Sequence, residues 1–107
     1  MEKKKVVALV EPTAGNLDAS FQEVTLRRYA ERHGLGIDLL IGGRTPHAGA
    51  SGKPEHRNLL NDINNGEVGR LLVLQEVRHY VPEELLTACR KAGVKVDFID
   101  VQQERGA

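Results

Sequence analysis

The chain has 107 residues, and its fifteen basic side chains balance fifteen acidic ones, so its net charge is zero. This length fits a single domain, residues 1–107, with a core of its own, and zero net charge excludes a general attraction to DNA or an acidic membrane. No apolar run approaches the roughly 20 residues of a membrane helix, and the charged start lacks the apolar middle of a secretory signal. We therefore expect a cytoplasmic protein with no membrane partner.

The first half of the sequence predicts a strand, a helix and a weaker strand. The apolar run Val6 to Val10 predicts the first strand, and Ile37 to Ile41 the weaker one. Between them, Ser20 and Glu23 have the spacing of a capping box, which predicts a helix from about Phe21 to His33.

The second half begins with a long loop, Gly42 to Lys53, rich in glycine and turn-forming residues. Proline starts and glycine stops then alternate with apolar runs. The predicted elements are a helix from Pro54 to Gly66, a strand from Leu71 to Leu74, a helix from Pro82 to Gly93 and a strand from Val94 to Val101. The polar tail, residues 102–107, is expected to fray.

Strands that are apolar nearly throughout are typical of a sheet covered on both faces, which is a feature of parallel sheets between helices. The predicted fold class is α/β: a three-layer domain with a mostly parallel four-stranded sheet covered by helices.

Common ligand motifs are missing or defective. The stretch from Gly49 to Lys53 resembles a phosphate-binding P-loop, but its glycine spacing is wrong and Pro54 follows the lysine. The four histidines show no i, i+4 pair, and the single cysteine, Cys89, falls on an apolar helical stripe and excludes an internal disulfide. We predict no metal and no cofactor, although a small-ligand or nucleotide-binding domain that uses the loop over the strand ends stays an alternative.

Several stretches of the sequence resemble the catalytic domain of the serine recombinases, the resolvases and invertases. That domain has an arginine, any residue and the nucleophilic serine after its first strand, and a glutamine nine residues further on. Aligning Gln22 with the glutamine places Thr13 on the serine and Glu11 on the arginine without a gap. The sequence from Leu26 to Gly34 is similar to that of the family's first helix.

The later phrases of the family also have counterparts. Lys53 stands at the arginine of an arginine-proline step, and the stretch from Ala92 to Asp100 resembles the last strand. The family's Asp-Arg-x-x-Arg segment keeps only Arg78 here, because Val77 replaces the aspartate and Val81 the second arginine.

The resemblance implies a resolvase-like fold with a degenerate site. In the family the serine attacks a DNA phosphate, and arginines stabilise the charge that develops there. Glu11 and Val81 stand in place of two of those arginines and Val77 in place of the aspartate, so we expect a pseudoenzyme linked to DNA recombination or mobile elements. It would act as an interaction or regulatory module, as a homo-oligomer or with a recombinase-like partner, and with weak DNA binding at most.

A second interpretation keeps strand transfer. Thr13 would be the nucleophile, Arg78 would assist it, and Lys53 and Gln22 would bind the phosphate.

Overall fold

A computed structural model of the protein describes residues 4–11, 18–42 and 54–106. Within these ranges, four strands alternate with four α-helices and one 3-10 helix over Gln75–Tyr80. The strands are β1 Lys5–Leu9, β2 Leu39–Ile41, β3 Val68–Leu74 and β4 Lys95–Ile99, and the helices are α1 Ala19–Arg32, α2 Pro54–Asn64, α3 Glu83–Ala92 and α4 Val101–Gly106. Of the predicted loop, only Gly42 belongs to the described residues.

All described strand pairs are parallel, in the order β2-β1-β3-β4. Successive side chains of a strand point to opposite faces of the sheet. On β4, Asp97 contacts Tyr29 of α1, and the next residue, Phe98, shares a groove with Leu86 of α3. Helices α1 and α3 therefore cover opposite faces. Helix α2 packs beside α3. The predicted three-layer α/β fold is confirmed, and β1 and β3 form its centre.

The core follows the apolar runs read from the sequence. Strands β1 and β3 supply fully buried side chains to both faces of the sheet, and burying each leucine or valine stabilises the fold by about 1.5–3 kcal/mol. The fully buried strand residues include Val7, Leu9, Leu71, Leu72, Val73 and Leu74.

The predicted capping box at the start of α1 is wrong. The helix begins at Ala19, and Asp18 is its N-cap: Oδ1 of Asp18 accepts the backbone N–H of Phe21 at 2.8 Å. Ser20 therefore lies inside the first turn. Oε2 of Glu23 accepts from Nε of Arg27 at 3.0 Å instead of from a backbone N–H at the helix start. Aspartate is as good an N-cap as serine, so the sequence offers two possible N-caps, Asp18 and Ser20, and the helix uses Asp18.

Several strand ends also differ from the prediction, and β3 begins at Val68, three residues earlier than expected. Strand β2 begins two residues later than expected, because Asp38 replaces regular pairing: its N–H donates to the carbonyl of Val6 at 2.9 Å, and its Oδ2 accepts the N–H of Val6 at 2.8 Å. Strand β4 ends at Ile99, and the tail expected to fray contains the short helix α4. Asp100 starts that helix by accepting the N–H of Gln102 at 2.8 Å.

The carboxyl end of β1 is closely packed against the end of β2. The N–H of Val10 donates to the carbonyl of Ile41 at 2.9 Å, which continues the β1–β2 pairing beyond the strand. Gly42 follows with φ of +85°, and a Cβ there would lie 2.3 Å from the carbonyl oxygen of Val10. Only glycine fits this position, so the backbone after β2 closes directly over the end of β1.

No described helix is long and apolar enough to cross a bilayer.

Candidate functional site

The backbone of Glu11 is held by the side chain of Gln22. After β1 the chain leaves the sheet, and the carboxamide of Gln22 takes the place of a neighbouring strand. Its Oε1 accepts the N–H of Glu11 at 3.0 Å, and its Nε2 donates to the carbonyl of Glu11 at 2.7 Å. Gln22 is completely buried. Both polar backbone groups of Glu11 are thus satisfied by one amide, as buried backbone groups require.

The side chain of Glu11 is also buried, and it faces His56 of α2. The Glu11 side chain is 3% exposed, that of His56 is 17% exposed, and Nε2 of His56 lies 2.8 Å from Oε2 of Glu11. The contact is an ion pair by distance, without the alignment of a hydrogen bond, and it carries charge on both sides only when the imidazole is protonated. The Glu11–His56 pair joins β1 to α2 at the carboxyl edge of the sheet, where parallel sheets place ligands.

His56 is the member of this site that the sequence does not reveal. By its position on the apolar face of α2 it is predicted to be a half-buried core residue, and it is half-buried. Its role as the partner of Glu11 has one indirect signal: an acidic residue directly after a fully apolar strand enters the interior, where a carboxylate requires a partner.

Arg78 lies away from Glu11. It belongs to the 3-10 helix after β3, is exposed, and its guanidinium carbon is 4.8 Å from the ring centroid of Phe98 on β4. Strand β4 is two strands away from β1 in the sheet. Arg78 therefore faces β4 and α3, whereas Glu11 and Gln22 are brought together on β1 and α1.

The two valines at the altered family positions are core residues. Val77 is completely buried and Val81 is 6% exposed. Their apolar side chains contribute to packing below the 3-10 helix, and neither position is open to a ligand. Thr13 and Lys53, the other residues of the predicted site, lie outside the described residues.

Neither a metal site nor a reactive thiol is found among the described residues. Within residues 4–11, 18–42 and 54–106, no group of three histidine, cysteine, aspartate or glutamate side chains is arranged to hold a metal ion. Cys89 is completely buried on α3, and this burial raises the pKa of its thiol. A raised pKa disfavours the thiolate, which is the nucleophilic form.

A second polar cluster joins α1 to the sheet on the face opposite α3. Asp97 Oδ2 accepts from Nη2 and Nε of Arg70 at 2.7 and 2.8 Å and from the hydroxyl of Tyr29 at 3.1 Å. The side chain of Asp97 is 10% exposed and that of Arg70 25% exposed. Burial and the charge of Asp97 raise the pKa of Tyr29, and the hydrogen bond to Asp97 raises the pKa of Arg70. The Tyr29 contact holds α1 against β4, and the two Arg70 contacts join β3 to β4.

The raised pKa of Tyr29 predicts a loss of stability at alkaline pH. Unfolded tyrosine ionises near pH 10, and folded Tyr29 ionises later, so above about pH 10 the unfolded state has lost more protons and the free energy of unfolding falls. The contribution is complete below that pH and is lost as the pH rises through the folded pKa. Urea unfolding at pH 8 and above pH 10 should show a smaller loss in Tyr29→Phe than in the unaltered chain. The exposed Tyr80→Phe is the control, and equal losses in all three proteins would contradict the assignment.

Comparison with known proteins points to one fold. No family model matches the sequence, and no curated protein matches it. Among solved structures, the C-terminal catalytic domain of ISC1926 TnpA, an IS607-like serine recombinase, is similar with a TM-score of 0.60 and 18% sequence identity. The match covers 95% of this chain and 75% of that one. The chain therefore has the fold of a serine recombinase catalytic domain, as its sequence phrases predict.

Proposed function

We propose that this is a serine-recombinase-like domain that does not cleave DNA and that acts in DNA recombination, or in a mobile element, through contacts with other proteins. The observation that carries the proposal is the buried Glu11 carboxylate, paired with His56, at the position that the resemblance gives to an arginine. Its partner would be a second copy of the chain or a recombinase-like protein. We place the domain in the cytoplasm.

A carboxylate at this position opposes phosphate binding. Two like charges about 4 Å apart repel by about 4 kcal/mol in an effective dielectric of about 20, which weakens binding by about three orders of magnitude. His56 can supply at most one positive charge, and that charge already faces Glu11. With the imidazole protonated the Glu11–His56 pair is neutral, and with it neutral the pair is anionic, so neither state supplies the positive charge that phosphoryl transfer needs.

The residues at the other family positions do not restore the positive charge that a phosphate would need. Arg78 stacks on Phe98, and Val77 and Val81 offer no charge. In enzymes that stabilise a developing negative charge, removing a single preorganised donor typically costs about a hundredfold to a thousandfold in rate, so we expect several replacements together to leave no useful activity. A domain with these residues keeps the fold for recognition of other proteins.

The test is an adduct assay with nicked DNA. A strand-transfer nucleophile that cuts next to a nick releases the short product and stays covalently bound to the DNA. The purified chain is incubated with short nicked duplexes of randomised sequence, and denaturing gels and mass spectrometry report any protein-DNA adduct. An IS607-like recombinase on its own site serves as the positive control.

We expect no adduct from this chain while the control forms one. An adduct that disappears in Thr13→Ala would overturn the proposal and would support strand transfer with Thr13 as the nucleophile. An adduct that persists in Thr13→Ala would also overturn it, and mass spectrometry would then identify the residue responsible.

A further inference from the structure

The outer side of β4 carries a groove that the site at β1 does not use. Leu86 of α3 and Val96 and Phe98 of β4 form its half-buried apolar floor, and its volume is about 300 Å³. The groove runs between α3 and the edge of the sheet. Half-exposed apolar side chains along a sheet edge are a surface that proteins usually cover.

The edge of the sheet beside this groove is open. Strand β4 is the last strand in the order β2-β1-β3-β4, and it pairs with β3 alone among the described strands. Its five residues, Lys95–Ile99, therefore present a row of backbone donors and acceptors on the outer side. An added strand of similar length would satisfy these groups, and alternate side chains of that strand would fall into the groove.

The rim of the groove is cationic. Arg78 and Arg90 lie at its rim together with one acidic residue, Glu83. The contact with the ring of Phe98 holds the planar guanidinium of Arg78 over the floor. Glu83, Leu86 and Arg90 follow the i, i+3 and i+7 spacing of one helical face, so α3 presents its charges and its leucine to the same groove. Two guanidiniums against one carboxylate favour an occupant with negative charge.

We propose that the groove and the open edge of β4 bind an extended acidic segment of a partner protein, which adds to the sheet as a fifth strand. Backbone hydrogen bonds to β4 would supply affinity, and carboxylates that reach Arg78 and Arg90 would supply selectivity. The inference rests on the interaction role proposed above and names the surface that carries it.

Nucleic acid is a poorer occupant of the same surface. The floor is aliphatic apart from Phe98, whose face is already covered by Arg78, so no free aromatic ring is present among the groove residues for a base to stack on. An extended peptide can instead place its backbone on the edge and its carboxylates beside the two arginines.

The probe is a synthetic peptide that alternates glutamate and valine over the length of β4, with both ends blocked. Such a peptide can add with its glutamates on the groove side. Two matched peptides replace every glutamate with lysine or carry N-methyl groups at every central residue, which removes the backbone donors. Amide shifts of the isotope-labelled chain, followed by NMR, report where each peptide binds and how tightly.

We expect the glutamate peptide to shift the amides of β4 and the groove face of α3, and the lysine and N-methylated peptides to bind at least about tenfold more weakly. Arg90→Glu should weaken binding of the glutamate peptide by at least about tenfold, and Arg78→Gln should weaken it as well. Arg28→Glu, the same charge reversal on an exposed position of α1, should change it by less than about twofold. Far-UV circular dichroism verifies that each variant is folded.

Several results would overturn the inference. They are the absence of shifts in β4, equal binding of the lysine or N-methylated peptide, and the same shifts with a single-stranded oligonucleotide. If the amide signals of β4 shift with protein concentration in the absence of peptide, the edge binds a second copy of the chain and not a partner segment. Failure of peptide binding leaves the adduct assay unaffected, so loss of this inference and loss of the proposed function are distinguishable.

Discussion

Gln22→Met is expected to lower the free energy of unfolding by about 2–5 kcal/mol. The variant keeps the length of the side chain and removes the amide that satisfies both the N–H and the carbonyl of Glu11. Gln22 is completely buried and Glu11 is 2% exposed, so water cannot replace the two lost hydrogen bonds without opening the structure. Each unsatisfied buried backbone group costs about 1–3 kcal/mol.

Denaturant unfolding followed by far-UV circular dichroism measures this loss, since the chain contains no tryptophan. Gln103→Met, at an exposed position of α4, is the matched control and should stay within about 0.5 kcal/mol of the unaltered chain. A loss below about 1 kcal/mol in Gln22→Met would show that the end of β1 does not depend on this amide.

Gln22 has a structural role that the sequence does not reveal. The sequence placed it on the first helix, and the resemblance made it a phosphate-binding candidate. Its two described hydrogen bonds both go to the backbone of Glu11, eleven residues earlier. Helical periodicity predicts which face of α1 is buried, but it does not predict which strand end that face covers.

The class of the fold could be read from the sequence because each apolar run is short and is bounded by proline, glycine or charged residues. The order of the strands could not. Placing β1 between β2 and β3 depends on contacts that are distant in the chain, and the Glu11–His56 contact joins residues on either side of α1 and β2. A residue that is adjacent only after the sheet has formed leaves no local pattern.

The position of Arg78 could not be predicted for a different reason. The sequence placed it correctly after the third strand, at the carboxyl edge of the sheet. The chain then forms a 3-10 helix with a kink at Val77, which directs Val77 into the core and leaves Arg78 beside Phe98. The direction of a side chain depends on such backbone detail, and spacing along the sequence does not determine it.

The largest effect on the opposite face of the sheet is expected from Asp97. Asp97→Ala removes the acceptor shared by the Arg70 guanidinium and the Tyr29 hydroxyl, and we expect the free energy of unfolding to fall by about 2–4 kcal/mol. The lower part of this range applies if Arg70, whose side chain is 25% exposed, turns toward water. The loss is measured by the same denaturant unfolding near neutral pH.

A double-mutant cycle separates the pair from the rest of the cluster. The coupling energy between Asp97→Ala and Arg70→Ala should be about 1–3 kcal/mol, because two of the guanidinium nitrogens, Nε and Nη2, contact the carboxylate in a mostly buried place. The Glu23–Arg27 pair on α1 is the matched control. Its Arg27 side chain is 54% exposed, so its coupling should stay below about 0.5 kcal/mol. Equal coupling in the two cycles would mean that the Asp97–Arg70 pair behaves as a surface pair and adds little to the pairing of β3 with β4.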